Sequence, residues 1–319
     1  MLTTTTSPIS FPGLGLEINP PMNFDLGPLT INLYGICIAV GLLLAVLYGC
    51  LRSKQFGFRQ DDILDGVLWV VPFAILCARL YYCAFEWDLY KANPISIFYI
   101  WEGGLAIYGG VIGAAIGVTV YCLIKKIKLP ALLDLVALGF LIGQCIGRWG
   151  NFFNREAFGA ETESFLRMGL YTYTNSQGDI FAWKDVLGGG ASYLDQAQLH
   201  FYHPTFFYES MWNLVGFVAL HFLSKRRKYD GQIALGYAAW YGLGRTFIEG
   251  LRTDSLYIPG SQILRVSQLL AAITCFAAVV VLMVLAFKKH SPEKLYVNQI
   301  AAKEAAQSEA AEDTEDSSH

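Results

Sequence analysis

Two stretches of this 319-residue chain concentrate groups capable of chemistry. The first, GRWGNFFNREAFG at 147–159, packs Arg148, Asn151, Asn154, Arg155 and Glu156 into nine residues directly after the apolar run 132–146. The second, YGLGRTFIEGLR at 241–252, spaces Tyr241, Arg245, Glu249 and Arg252 at i, i+4, i+8 and i+11, one face of a helix. If the first stretch continues as helix, Arg148, Asn151 and Arg155 share a face as well. Ionisable groups within apolar segments are rare and face a partner or a cavity. A self-neutralised Arg245–Glu249–Arg252 network, with Arg148 reaching to the interface, would be purely structural. The convergence of several planar donors at one depth favours another duty, because guanidinium groups hold phosphate bidentately. A phospholipid headgroup lies at that depth, so a lipid-phosphate site is expected.

Other chemistries find little support. Asp65 and Asp134 start their apolar segments, where a helix N-terminus favours a carboxylate, and no GxGD motif accompanies them. No serine sits in a GxSG setting and no HExxH occurs. His290 and His319 fall in the C-terminal tail and His221 stands alone; His200 and His203, separated by Phe201-Tyr202, leave a two-histidine metal site only as a disfavoured alternative. No metal, cofactor or nucleic-acid partner is expected. The cysteines at 37, 50, 77, 83, 122, 145 and 275 form no CxxC pair and read as small apolar packing.

These residues need elements to hold them. The chain is 54% hydrophobic and 15% charged, a composition of integral membrane proteins. Seven stretches are long enough to span a bilayer as helices: 29–51, 63–84, 96–124, 131–152, 205–224, 232–250 and 263–287. The third is long enough to contain a break at GGLAIYGG, 103–110, and the sixth is the most polar. Residues 1–28 hold no Lys or Arg, whereas basic clusters follow every odd-numbered span: Arg52, Lys54 and Arg59; Lys125, Lys126 and Lys128; 225–228; then Lys288, Lys289 and Lys294. That alternation places the N-terminus outside and the C-terminus in the cytoplasm. Gly109, Gly113 and Gly117, and likewise Gly139, Gly143 and Gly147, recur every four residues, a spacing that brings helix backbones close in lipid.

The expectation is an all-α polytopic membrane protein with about seven transmembrane helices and a small extracytoplasmic head. Its parts are an extracytoplasmic N-terminal segment 1–28, helices one to four over 29–152, the head over 153–204, helices five to seven over 205–287, and an acidic, disordered cytoplasmic tail over 288–319. Both polar clusters then lie at the outward ends of their spans.

The first stretch resembles the signature G-R-x-G-N-F-x-N-x-E-x-x-G of the prolipoprotein diacylglyceryl transferase family. Gly147, Arg148, Gly150, Asn151, Phe152, Asn154, Glu156 and Gly159 meet every fixed position. Further likenesses follow in family order: LYG at 33–35, GGLAIYGG at 103–110, His203-Pro204 with Tyr208-Glu209, and YGLGRTFIEGLR. The likeness covers about residues 25–290. It implies an enzyme of the bacterial plasma membrane that moves the diacylglyceryl group of phosphatidylglycerol onto the lipobox cysteine thiol of prolipoprotein signal peptides, the first step of lipoprotein maturation. It implies no cofactor. A transporter or flippase of anionic phospholipid, without covalent chemistry, is the alternative.

One position departs from the family. Where many members carry a histidine, proposed as general base, this chain has Tyr108. In the reaction so implied, Arg148 and Arg245 take the phosphate, with Asn151 and Asn154 as neutral donors and Arg252 beside them. Glu156 and Glu249 orient the arginines, and Tyr34 and Tyr241 line the headgroup or thiol path. Gly159 permits a tight turn over the site, and Tyr108 or His203 assists proton removal.

Overall fold

The computed structural model describes residues 8–27, 29–100, 103–174, 180–182, 198–253 and 265–316. Seven long helices lie where the apolar stretches were expected: α1 (Leu33–Phe56), α2 (Gln60–Phe85), α3 (Ile107–Lys125), α4 (Leu129–Asn154), α5 (Thr205–Ser224), α6 (Gln232–Glu249) and α7 (Val266–Ala286). Among the described residues, α1 to α4 and α7 are long and apolar enough to cross a membrane. The other two carry buried ionisable side chains, Glu209 in α5 and Glu249 in α6, which lower their apolar character. Leu43, Leu68, Trp69, Leu123 and Phe276 are exposed on the helix surfaces, apolar area suited to lipid contact. The chain is a mostly helical, multi-pass membrane protein.

Two compact units share the helices. One comprises Met1–Ala45, Ala137–Arg227 and Gln232–Lys289, the other Val46–Val136, Lys228–Gly231 and His290–His319.

In the first unit the region expected to be the head forms small antiparallel sheets, with strands contributed partly by the N-terminal segment. The strands are β1 (Ile9–Phe11), β2 (Leu16–Ile18), β3 (Asn23–Leu26), β4 (Leu29–Asn32), β5 (Met168–Thr174), β6 (Ile180–Ala182) and β7 (Gln198–Tyr202). β1 sits between β2 and β5, pairing Ile9 with Ile18 and Ser10 with Gly169. β5 also pairs β7, from Met168 opposite Tyr202 to Thr172 opposite Gln198, while β3 and β4 form a separate hairpin. Ile9, Met168, Leu170 and Tyr202 from the sheet bury themselves with Phe152 of α4, Phe158, and Phe206 of α5. This apolar core fixes the end of α4 against the start of α5. The triple glycine 188–190 and Tyr193 lie outside the described residues.

In the second unit α3 begins only at Ile107, after Gly103 and Gly104, both with positive φ. The expected start at 96 is instead a short 3₁₀ turn, Pro94–Phe98. The buried Arg79 of α2 ties this loop down: it donates to the carbonyls of Ser96 at 2.7 Å, Ile97 at 2.8 Å, Gly103 at 2.6 Å and Gly104 at 3.0 Å. Asp65 pairs with Lys125 at 2.7 Å, and the fully buried Asp134 accepts the Gly231 amide at 2.8 Å. Asp134 therefore secures a loop, a task beyond favourable placement at a helix start.

The tail corrects an expectation. Residues Tyr296–Asp316, expected to be disordered, form helix α8. Ala, Glu, Gln and Lys are strong helix formers even where no apolar stripe asks for a partner. Asp230 anchors its first turn by accepting the Tyr296 amide at 2.9 Å.

The glycine row of α3 packs on α2. A Cβ at Gly109 would lie 2.6 Å from the Cys77 carbonyl oxygen and 2.9 Å from the Ala78 Cα, backbone atoms that cannot swing aside. Gly109→Leu is expected to cost about 1–3 kcal/mol and to lower the melting temperature in detergent by a few degrees. An unchanged melting curve would show that α2 and α3 do not pack through this row.

Candidate active site

The first unit brings α4, α5 and α6 together around one carboxylate. Glu209, one turn into α5, is buried. Its Oε2 pairs with Arg148 Nε from α4, and its Oε1 with Arg245 Nη1 from α6 at 2.7 Å. Arg252 Nη1 stands 3.9 Å from the same Oε1. Arg245 turns its other terminal nitrogen to Glu249, one helical turn along α6, and Ser267 Oγ donates to Glu249 Oε1 at 2.6 Å. Arg265, just before α7, reaches the Glu249 carbonyl. Burial of these charges is sustained by their pairing; a lone carboxylate here would be neutralised or expelled.

Arg148 is held by its Nε alone. Among the described residues neither of its terminal nitrogens has a hydrogen-bond partner, and a fifth of its side chain is exposed. A guanidinium fixed by its inner edge presents its outer fork, the geometry that accepts two oxygens of an anion.

The structure redistributes the signature residues. Asn151 and Asn154 each donate to Glu156 Oε1, at 3.0 and 3.2 Å. Glu156 thus orients the two asparagines. Arg155 does not share the face of Arg148, because α4 ends at Asn154 and Arg155 itself takes φ 52°. It is almost wholly buried, donating to the Phe153 carbonyl at 3.0 Å and, toward the N-terminal segment, to Asn19 Oδ1 at 3.1 Å and the Pro20 carbonyl at 3.0 Å. Burial pushes its guanidinium down to about 10.

Gly159 also has a different duty. The left-handed turn is made by Arg155 and Ala157, not by Gly159. At Gly159 a Cβ would sit 2.7 Å from His203 Cβ and 3.0 Å from the Leu251 carbonyl oxygen. Three chain segments cross there: Gly159 N donates to the His203 carbonyl at 2.9 Å, and Ala160 N to the Leu251 carbonyl at 2.6 Å. The glycine lets the signature loop clamp the start of α5 onto the end of α6, the helices that carry Glu209 and Arg245.

Of the remaining expected residues, Tyr34 lies against Gly150 of α4, where a Cβ would come within 2.6 Å of its ring. Tyr241 stacks on Tyr237, with ring centroids 5.7 Å apart, one turn below Arg245. His203 Nδ1 is 3.2 Å from the Tyr208 hydroxyl, and burial lowers its pKa, keeping the imidazole neutral at neutral pH. Tyr108 belongs to the second unit, half-exposed in the first turn of α3. Glu209 had no role in the sequence reading. Its signal was present all the same, as a lone carboxylate inside the apolar stretch 205–224.

Known proteins resemble this chain over most of its length. The family described as prolipoprotein diacylglyceryl transferase matches residues 21–284. A phosphatidylglycerol–prolipoprotein diacylglyceryl transferase from Limosilactobacillus reuteri is 38% identical over 290 residues, covering 90% of this chain and 98% of its own. The protein of the same name from Streptococcus suis is 41% identical over 274 residues, covering 85% and 94%. That from Lysinibacillus sphaericus is 40% identical over 260 residues, covering 81% and 89%.

Because two guanidinium groups share Glu209, its removal leaves them to repel each other in a buried setting. Glu209→Ala is expected to lose about 3–5 kcal/mol of stability, read as melting temperature in detergent, with part of the loss recovered in added inorganic phosphate. A variant that melts like the parent would mean that Glu209 does not hold the cluster.

Proposed function

The chain belongs to the prolipoprotein diacylglyceryl transferase family, and we propose that its shared-carboxylate cluster is where the lipid phosphate is held during transfer. The reaction is movement of a diacylglyceryl group from phosphatidylglycerol to a prolipoprotein, which makes the chain a membrane transferase of lipoprotein maturation. The acceptor is the thiol of the lipobox cysteine. Sulfur forms a thioether with the terminal glycerol carbon, the bond from that carbon to the phosphate oxygen breaks, and glycerol phosphate leaves with the electron pair. The thiol proton passes to the surroundings.

One observation carries this reading: the outer fork of Arg148 has no protein partner among the described residues while its Nε is pinned to Glu209. Arg148 and Arg245 are aimed in advance at oxygens whose charge grows as the phosphate departs. A single preorganised donor of this kind is worth about 3–4 kcal/mol in the transition state. Glu209 and Glu249 position the pair, and Arg252 adds positive potential. Asn151 and Asn154, set by Glu156, offer their second N–H groups to the headgroup. Tyr34 and Tyr241 border the path, and His203 with Gly159 fixes the loop.

Thiolate formation needs no strong base. A cysteine thiol has an ordinary pKa near 8.5, and neighbouring guanidinium charge lowers it toward neutrality. Tyr108 is then dispensable as a proton acceptor. The enzyme works in the bacterial plasma membrane with its site and N-terminus outside and α8 in the cytoplasm, following the basic clusters.

Incubating the purified protein with phosphatidylglycerol and a lipobox peptide should yield the thioether-linked mass; a transporter or flippase yields none. Arg148→Lys should lower the rate at least about a hundredfold, because an ammonium cannot reproduce the fork. Arg245→Ala should be as damaging, whereas Tyr108→Phe should keep measurable transfer. Near-normal turnover in Arg148→Lys would remove the phosphate from this residue, and a Tyr108→Phe variant as inactive as Arg245→Ala would make Tyr108 the proton acceptor. On intact cells stripped of reactive native thiols, Leu14→Cys should react with a membrane-impermeant label and Lys303→Cys should not. The reverse pattern overturns the orientation.

A further inference from the structure

A second polar layer lies beneath the charged one. Gln144 is four residues before Arg148 on α4, Asn213 four after Glu209 on α5, and Tyr241 four before Arg245 on α6. The site occupies the C-terminal ends of α4 and α6 and the N-terminal end of α5, so each step runs the same way. It moves about 6 Å along the helices, away from the head. The layer is continuous: Gln144 Nε2 donates to the Tyr237 hydroxyl at 2.9 Å, and Tyr237 stacks on Tyr241. Ser210 Oγ donates to the Cys145 carbonyl at 2.8 Å and holds α5 to α4 at this level.

Polar side chains that merely glue helices together pair across the contact. These do not complete their pairing. Asn213 is 1% exposed, and its Oδ1 has no hydrogen-bond partner among the described residues. Gln144 Oε1 is buried and likewise without one. An unmet amide in an apolar helix bundle is costly and calls for a ligand group.

We propose that Gln144 and Asn213, backed by Tyr237 and Tyr241, form an ester-recognising shelf for the diacylglyceryl group that is transferred. The proposal rests on the charged layer being the phosphate site. With phosphorus at Arg148 and Arg245, the acyl ester carbonyls lie a few covalent bonds away, on the side facing the membrane interior. Those carbonyls accept hydrogen bonds. A primary amide exchanges donor for acceptor by a half-turn about its last bond: Gln144 Oε1 then accepts the Tyr237 hydroxyl proton and its –NH₂ faces the ester. Asn213, turned likewise, offers its –NH₂ to the ester from α5. The shelf would hold the reacting glycerol carbon still relative to the phosphate while leaving the acyl chains unread.

The test compares ester-linked phosphatidylglycerol with its ether-linked analogue of equal chain length, with thioether product measured by mass. Wild-type protein should transfer from the ester lipid about tenfold faster at subsaturating lipid, the effect of one or two lost hydrogen bonds. That ratio should fall toward one in Gln144→Met and Asn213→Leu, near-isosteric side chains without the amide. Equal rates with both lipids in the wild type overturn the proposal without any variant. A preference that survives in both variants, or a proportional loss on both lipids, makes the layer structural and overturns it as well. Absence of product from either lipid in the wild type strikes instead at the transferase reading on which the shelf rests.

Discussion

Two arginines from different helices lean on one buried carboxylate, and most of the surrounding structure serves that contact. A charge taken out of water is tolerated only with a close, well-oriented partner. Glu209 therefore dictates where α4 and α6 must meet α5. The aromatic core under the head, the crossing at Gly159 and the tie from Ser267 to Glu249 each fix one of those helices relative to the others. An arrangement built only for stability would spend all of its donors. This one leaves the outer fork of Arg148 unspent among the described residues, and a site that must receive an anion requires that.

The same economy explains the order of polarity along the three helices. The guanidinium layer lies near the head, the amide and phenol layer follows one turn deeper, and apolar side chains such as Leu138 and Leu141 fill α4 beyond that. A phosphoglyceride has the same sequence of groups from phosphate to ester to chain. Under the proposed assignment, matching layers would orient such a lipid by its own polarity gradient, without a contact to the acyl chains.

Much of this was legible in the sequence because membrane residues obey few rules strictly. Apolar length gave the seven helices to within a few residues at most ends, and spacing on one face correctly joined Arg245 to Glu249. The failures have physical causes. Arg155 left its expected face because the helix stops one residue earlier, and no local signal marks a left-handed arginine. β1 and β2 of the N-terminal segment have too few residues to show a period of two. The asparagine partners of Glu156 were missed because its charge drew attention to arginines. Glu209 was passed over since its partners are distant in sequence, although a carboxylate in an apolar helix always demands one. The tail was read as disordered from its charge, while its Ala and Glu content favoured helix.

The most direct measurement is a structure of the protein with a phosphonate analogue of phosphatidylglycerol, in which carbon replaces the oxygen whose bond must break. The phosphonate oxygens should lie within hydrogen-bonding distance of the outer fork of Arg148 and of Arg245, with Glu209 still holding Arg148 by its Nε. A phosphonate bound elsewhere, with both arginines engaged only by Glu209 and Glu249, would contradict it.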